Sequence, residues 1–546
     1  MLLSSLRVKQ ARLIIIVALL SCLTIASDCQ NLERLHRFAE AGIAAERNWY
    51  KAASLGDQQA AMQLTELATA TKQLHWLNLL VDLQFAEAQF QLAKLTTNKA
   101  LRSLLLQKAA QQDHLGALFY IGQNSSSPTS KINAYTRAAQ LAHRPSQYAL
   151  YQWHWLHGDY ELAVPWLTLL AEQDADSALV LAMHLWRQDS VEEAKQWFAS
   201  SAEMGNRASQ EYLKIIAQYW QKPPKISKVS TGPLNSDCQM QLQFVATSLE
   251  SMAQALKFKQ EFAQDKRLQS LPICVNAVAW FDADTVPCQH GAVNQQRITC
   301  DIKRLDKTFK PGDFSHLVVF ARHGKANVNN GVMYLDLADQ YSVFVHELAH
   351  FAGFVDEYPL SEALAERICR LDANHPNIIV EKIKAEPKQE HKQTLTTASD
   401  SDGQNTVTPA SAIAEINTVL QAGILPRYKA RTCNNHEYQA YKTEKRMTFL
   451  EFHDHDVIPE SYLEKWRERL IQRRDLVPAS LNMAHALEDS GNFPRAELWR
   501  QHFVTYRQGP EAIPNRLQNL PQIKMLNNEP DAKDDSFWQI PDVFRR

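Results

Sequence analysis

The chain has 546 residues, room for two to four domains, with 45% apolar and 22% charged residues, the proportions of an ordinary globular protein. Its formal net charge of −2 leaves no basic surplus, and so no electrostatic reason to expect a nucleic-acid partner.

Arg7, Lys9 and Arg12 precede an apolar run from Leu13 to Ala26. That run is short for a spanning helix, sits at the N-terminus and ends in Thr24-Ile25-Ala26, which puts small residues, Thr24 and Ala26, at the two positions signal peptidase reads. Residues 1–27 therefore read as a secretory signal peptide, and the mature chain is expected in the periplasm or outside the cell. Leu19-Leu20-Ser21-Cys22 is a loose lipobox, which keeps open an outer-membrane lipoprotein anchored at Cys22. An uncleaved signal anchor is the other alternative, and a membrane association is expected only in these two cases.

From residue 30 to 222 the sequence repeats. Ala53, Val81, Ala110, Ala139, Ala171 and Ala202 occupy related positions, 28, 29, 29, 32 and 31 residues apart, with no strand signals between them. A period near thirty with small residues at fixed places predicts stacked helix pairs. Trp49, Tyr50, Trp166, Trp197 and Phe198 are expected to fill the gaps between pairs. The best copy, Trp49-Tyr50-Lys51-Ala52-Ala53-Ser54-Leu55-Gly56, resembles the Sel1-like repeat, a relative of the tetratricopeptide repeat. The resemblance implies an all-α solenoid whose concave face can hold a protein or peptide partner. The plainer reading of the same array is a support for the domain C-terminal to it.

Gln221-Lys222-Pro223-Pro224-Lys225 ends the array, and a polar stretch to about Ser236 reads as a linker. Residues 236–475 show a mixed pattern. Leu242 to Leu256 reads as helix, while Ala277 to Phe281 and Leu317 to Phe320 read as strands. Val332 to Leu337 alternates after an Asn329-Asn330-Gly331 turn and predicts a half-exposed strand, placed to align a substrate peptide by backbone pairing. Six cysteines (Cys238, Cys274, Cys288, Cys300, Cys369, Cys433) fall in this region and none in the repeats. An even set in an exported chain predicts three disulfides, with Cys288 to Cys300 and Cys369 to Cys433 the expected pairings.

The chemistry concentrates in His346-Glu347-Leu348-Ala349-His350, followed by Gly353 and Asp356: HExxHxxGxxD. Residues four apart share a helix face, so His346 and His350 can offer imidazole nitrogens to one Zn²⁺. Glu347 stands beside the first ligand, where it can activate water as general base. Gly353 lets the helix stop, and Asp356 beyond the bend is the expected third ligand. Glu357 and Glu362 are the alternatives, as a ligand or, for Glu357, as a carboxylate steadying a histidine ring. The segment resembles the metzincin side of the zincin peptidases, and Asp356-Glu357-Tyr358 resembles the IgA-peptidase-like bacterial members. The resemblance implies an α+β lobe, zinc on His346, His350 and Asp356, catalysis through Glu347, and a Met-turn beneath the metal, for which Met447 is the candidate. His453 and His455, with Tyr358 and Tyr462, are candidates to line the cleft and steady an oxyanion.

Residues 384–412 are polar and read as a surface insertion. Residues 476–546 read as a helix pair turning at Asp489-Ser490-Gly491-Asn492, then a Pro- and Asn-rich tail. The whole is thus expected to be multidomain: a Sel1-like solenoid, an α+β zincin-like domain and a C-terminal helical segment. The expected activity is zinc-dependent hydrolysis of a peptide or protein substrate. The alternative is a non-catalytic envelope adaptor with an inactive zincin lobe.

Overall fold

The computed structural model describes residues 30–220, 238–289, 297–383, 427–434, 437–473 and 475–508. The expected signal segment with Cys22, the expected 384–412 insertion and the tail past residue 508 lie outside them. The chain divides into two compact units, residues 1–213 and 214–546.

The first unit is wholly helical among its described residues. Helices run from α1 (Ala45–Ser54) through α2 (Gln58–Ala70) to α11 (Val191–Glu203), each packed on the next, and the unit boundary falls within α12 (Arg207–Tyr219). The repeated small residues are the packing surface. Ala53, Ala110, Ala139 and Ala171 are buried, and their lack of side-chain bulk lets neighbouring helices close up. Trp49 and Phe198 are buried, and Trp76 packs against Tyr50 at 5.9 Å. Side chains cap several starts: Asp57 accepts from the Ala60 amide and Asp174 from that of Ser177.

One backbone feature recurs with the period. Three residues after five of the six anchors the chain turns left-handed, at Gly56, Gln84, Asp113, Ala142 and Gly205, with φ of 92°, 66°, 58°, 60° and 98°. Each turn stops one helix and starts its partner. Glycine adopts that conformation freely, while Gln84, Asp113 and Ala142 hold it at a cost of about 1 kcal/mol.

The second unit is built on a six-stranded mixed sheet. Its order is β2 (Ile273–Val275), β1 (Met240–Ala246), β6 (His316–Phe320), β8 (Val332–Leu335) and β7 (Asn327–Asn329), with β3 (Ala279–Trp280) also on β1. All neighbours are parallel except β7, which runs antiparallel to β8. Strands β1, β6 and β8 are buried throughout because both faces are covered. On one face α13 (Leu249–Gln264) and α14 (Tyr341–His350) bring Phe258 and Phe344 against Phe244 and Phe320, with ring centroids 5.2–6.0 Å apart. On the other, α17 (Ala479–Asp489) and α18 (Phe493–Gln508) bring Met483, Leu487 and Trp499 against Phe314, Leu317 and Val319.

Two expectations change here. Leu242 belongs to β1, and the helix starts only at Leu249, after a capping box of Ser248 and Ser251. Met240 to Phe244 does alternate apolar and polar, but neither Gly nor Pro separates β1 from the helix, so the two merge when the pattern is read from Leu242 onward. Val332 to Leu335 is not an edge strand: β8 lies between β6 and β7, and the edge is β7. The 476–508 helix pair caps this sheet, its apolar face closing the core.

The β7–β8 turn has positive φ at Asn330 and Gly331, 44° and 75°. A side chain at Gly331 would meet the backbone of Val477 to Ala479 at 2.4 Å, so only glycine fits. A second sheet, β10 (Tyr428–Ala430), β11 (Tyr438–Lys442) and β9 (Ile378–Lys382), is antiparallel. β4 (Cys288–Gln289) pairs with β5 (Thr299–Cys300). The disulfides are Cys238–Cys274, Cys288–Cys300 and Cys369–Cys433, bonds that persist in an oxidising compartment. Among the described residues no helix is long and apolar enough to cross a membrane.

Candidate metal centre

The site is built at the end of α14. Phe344, Val345, Leu348 and Ala349 bury the helix against the sheet, leaving His346 and His350 on one face. The turn ahead of the helix is pinned by Asp336, which accepts from the Ala338 and Asp339 amides, and by Gln254, which donates to the carbonyls of residues 336 and 339. At its far end Gly353 takes φ 81° and its amide donates to the His350 carbonyl, which reverses the chain.

The reversal carries Asp356 back onto the histidines. Asp356 Oδ1 lies 2.9 Å from His346 Nε2 and 3.2 Å from His350 Nε2. The two imidazole rings are 4.9 Å apart and nearly perpendicular, at 87°. Each ring is held from behind. His346 Nδ1 donates to the Phe449 carbonyl at 2.8 Å, and His350 Nδ1 to the Phe354 carbonyl at 2.9 Å. A carbonyl only accepts, so both Nδ1 atoms carry hydrogen and both Nε2 atoms face the carboxylate.

Three basic atoms turned on one another at this range call for positive charge between them. Burial disfavours charge on His350, but the Asp356 carboxylate outweighs it and pushes that imidazole up to about 9. Burial would raise the Asp356 carboxyl, yet the charge on His350 and hydrogen bonds from both rings hold it well below the usual carboxylate range. Two imidazole nitrogens and one carboxylate oxygen are a donor set suited to zinc. His346, His350 and Asp356 are the residues that could hold it.

Glu347 stands one step outside that set. Its carboxylate lies within 4.8 Å of ligand atoms of both histidines, but Asp356 is the nearer acid. Burial pushes the Glu347 carboxyl up, countered by charge on the two histidines. Tyr358 stacks near His346, the rings 14° from parallel and 6.4 Å apart. Burial, then the Asp356 carboxylate, raises its phenol, so the hydroxyl keeps its proton. Arg297, which belongs to no motif in the sequence, places positive charge where it acts on both Glu347 and Tyr358.

The remaining candidates lie elsewhere. Glu357 is buried but points away from the histidines, into hydrogen bonds with Tyr462, Thr448, Asn377 and Lys442. It is neither a ligand nor a direct partner of an imidazole. Glu362 opens the short helix α15 (Glu362–Ile368) as an exposed side chain. Tyr462, on α16 (Glu460–Gln472), spends its hydroxyl on Glu357 and is no oxyanion donor. Met447 is 47% exposed, so it makes no Met-turn. The backbone of Phe449, two residues on, takes the place beneath His346. His453 pairs with Asp454, itself bonded to Ser342.

Two residues with no motif around them lock Asp356 in place. Asn377 accepts from the Val355 amide and donates to the Val355 carbonyl, and Thr432 donates to the Asp356 carbonyl. Only their distant partners reveal them, so the sequence carries no signal. A cavity of about 480 Å³ lined by Asp306, Lys310 and Arg495 shares no residue with this site.

No protein-family model matches the chain, and no curated protein does. Solved structures similar to it include a protective antigen of uropathogenic Escherichia coli displaying an SLR fold, at 17% identity and a TM-score of 0.26. That match covers 34% of this chain and 48% of the antigen, so the chain spans about half the length of that structure. A Sel1 repeat protein from Oxalobacter formigenes is similar at 18% identity and a TM-score of 0.25, over 34% of this chain and 87% of that one.

Proposed function

We propose that the chain is an exported zinc-dependent peptidase of zincin type, with Sel1-like helical repeats at its N-terminus. The observation that carries this reading is the placement of one Asp356 oxygen within 3.2 Å of the Nε2 atoms of both His346 and His350. Zinc bound there would supply Lewis-acid polarisation of the scissile carbonyl and make a nearby water acidic enough to attack. Glu347 takes the proton from that water on its carboxylate and returns it to the leaving amine. Its raised affinity for a proton suits a group that must accept one and release it. Tyr358, with its phenol protonated, donates to the oxyanion that forms. The outer edge of β7 offers backbone groups to an extended substrate, although Asn327 already donates to the Ile298 carbonyl, Arg297 bridges to Lys325 and Asn482 donates to the Asn329 carbonyl, which shortens the free edge.

The test is zinc quantitation on the full-length protein and on His350→Ala, paired with digestion of a peptide library. Stoichiometric zinc in the first, none in the second, and cleavage by the first alone are expected. A protein without zinc and without cleavage is the non-catalytic adaptor instead.

A further inference from the structure

Glu357 is the most completely bonded side chain near the site, yet it touches none of the reacting groups. Its Oε1 accepts from Tyr462 Oη at 2.7 Å and Asn377 Nδ2 at 3.1 Å. Its Oε2 accepts from Thr448 Oγ1 at 2.7 Å and Lys442 Nζ at 3.1 Å. Four donors on two oxygens fill a carboxylate. Lys442 is filled in turn, through Glu357, Glu451 Oε2 at 2.8 Å and the Arg446 carbonyl at 3.1 Å. Glu357 and Thr448 are wholly buried, and Lys442 nearly so.

The place of this network in the chain gives it a role. Glu357 follows Asp356, and Thr448 precedes Phe449. The Glu357 amide also donates to the Leu450 carbonyl at 2.9 Å. One residue thus joins the segment carrying the carboxylate of the histidine pair to the turn carrying the carbonyl behind His346. If the turn shifts, His346 loses the bond that aims its Nε2. A core filled with apolar side chains would stabilise this region as well, but would tie neither segment to the other in a fixed register.

We infer that Glu357 is a positioning residue which, through Thr448, sets the distance between Asp356 and the imidazole of His346, and so tunes affinity for the metal. This role rests on the proposed zinc site. It also explains why an acid is needed here: glutamine would turn its amide nitrogen toward two donors, whichever way it faced.

That same clash makes Glu357→Gln prone to misfold, so the test uses two lighter changes. Thr448→Val and Tyr462→Phe each remove one hydroxyl from Glu357. Only Thr448 carries the turn behind His346. Full-length apo-protein of each variant is titrated with zinc against a chelating dye, and thermal unfolding is recorded alongside. Thr448→Val should bind zinc about tenfold more weakly. Tyr462→Phe should bind within about twofold of wild type, whatever it loses in melting temperature. Equal affinities in the two variants, with zinc binding intact in wild type, would overturn the positioning role and leave the metal reading standing. A wild-type protein that takes up no zinc would sink both, and is recognisable before either variant is made.

Discussion

The imidazole of His346 is gripped from behind by the carbonyl of Phe449, 2.8 Å from Nδ1 and 103 residues further along the chain. The grip decides which nitrogen faces Asp356. With Nδ1 committed to a carbonyl, Nε2 is the only atom left to take a metal, and its direction is set by the fold rather than by the ligand.

On the proposed reading, replacing Glu347 by glutamine keeps the shape and removes the base. Peptide hydrolysis should fall by about 10² to 10⁴, while zinc content stays at the wild-type level. Turnover close to wild type in a clean preparation would take Glu347 out of the mechanism.

If zinc sits on the proposed donors, Asp356→Ala should weaken its binding by at least about a hundredfold, since it removes one of three. Glu362→Ala should change nothing, because that side chain is exposed. Equilibrium dialysis of the two variants separates the carboxylates, and the reverse order would put the third ligand on α15.

These carboxylates also show what was legible in the sequence. The histidines, Glu347, Gly353 and Asp356 lie within eleven residues, and helical geometry with a glycine bend is enough to bring them together. The period of the repeats was legible for the same reason, because each helix pair repeats a local pattern. Thr432, Asn377, Thr448 and the Phe449 carbonyl were not, since they reach the site from across the fold and the last acts through its backbone. Met447 was misread because a Met-turn is defined by what lies above it, and the motif residues say nothing of that. β1 was missed although Met240 to Phe244 alternates, because no Gly or Pro separates it from the helix that follows.

The repeat turns give a stability test far from the site. Ala142 holds φ 60°, a conformation that costs an alanine about 1 kcal/mol and a glycine little. Ala142→Gly should therefore raise the urea midpoint of unfolding, by the equivalent of about 0.5 kcal/mol after the greater freedom of glycine in the unfolded chain is counted. A lower midpoint would show that the methyl group contributes more than its strain.

His316 makes the second unit sensitive to acid. It is completely buried, and burial, followed by the charge of Arg473, pushes its imidazole down to about 3. Unfolded, it would titrate near 6.5. Below that pH the unfolded chain gains a proton the folded one refuses, so stability is present above 6.5 and is lost as the pH falls toward 3. At pH 5 the loss is about 2 kcal/mol relative to neutral pH. Denaturant melts at pH 7 and pH 5 should show it, and His316→Asn should flatten the difference. An equal slope in the variant would assign the acid sensitivity to other groups.

The bridge between Cys369 and Cys433 closes a span of 64 residues beside Thr432. Changing both cysteines to serine should destabilise the second unit by about 2 to 4 kcal/mol. It should also weaken zinc binding, because Thr432 holds the Asp356 carbonyl at 2.8 Å. Calorimetry and zinc titration read the two effects separately, and unchanged affinity in a folded double variant would detach the bridge from the site.

The helix with both histidines is translated roughly a hundred residues before the carbonyl that aims one of them, and Thr432 lies 76 residues past the aspartate it restrains. A nascent chain therefore carries the reactive motif long before it carries the cage around it. The last restraint beside Asp356 closes only where thiols oxidise. On the proposed reading, the order of synthesis and the chemistry of the destination keep the hydrolytic centre unassembled in the compartment where the protein is made, and bring it to life after delivery.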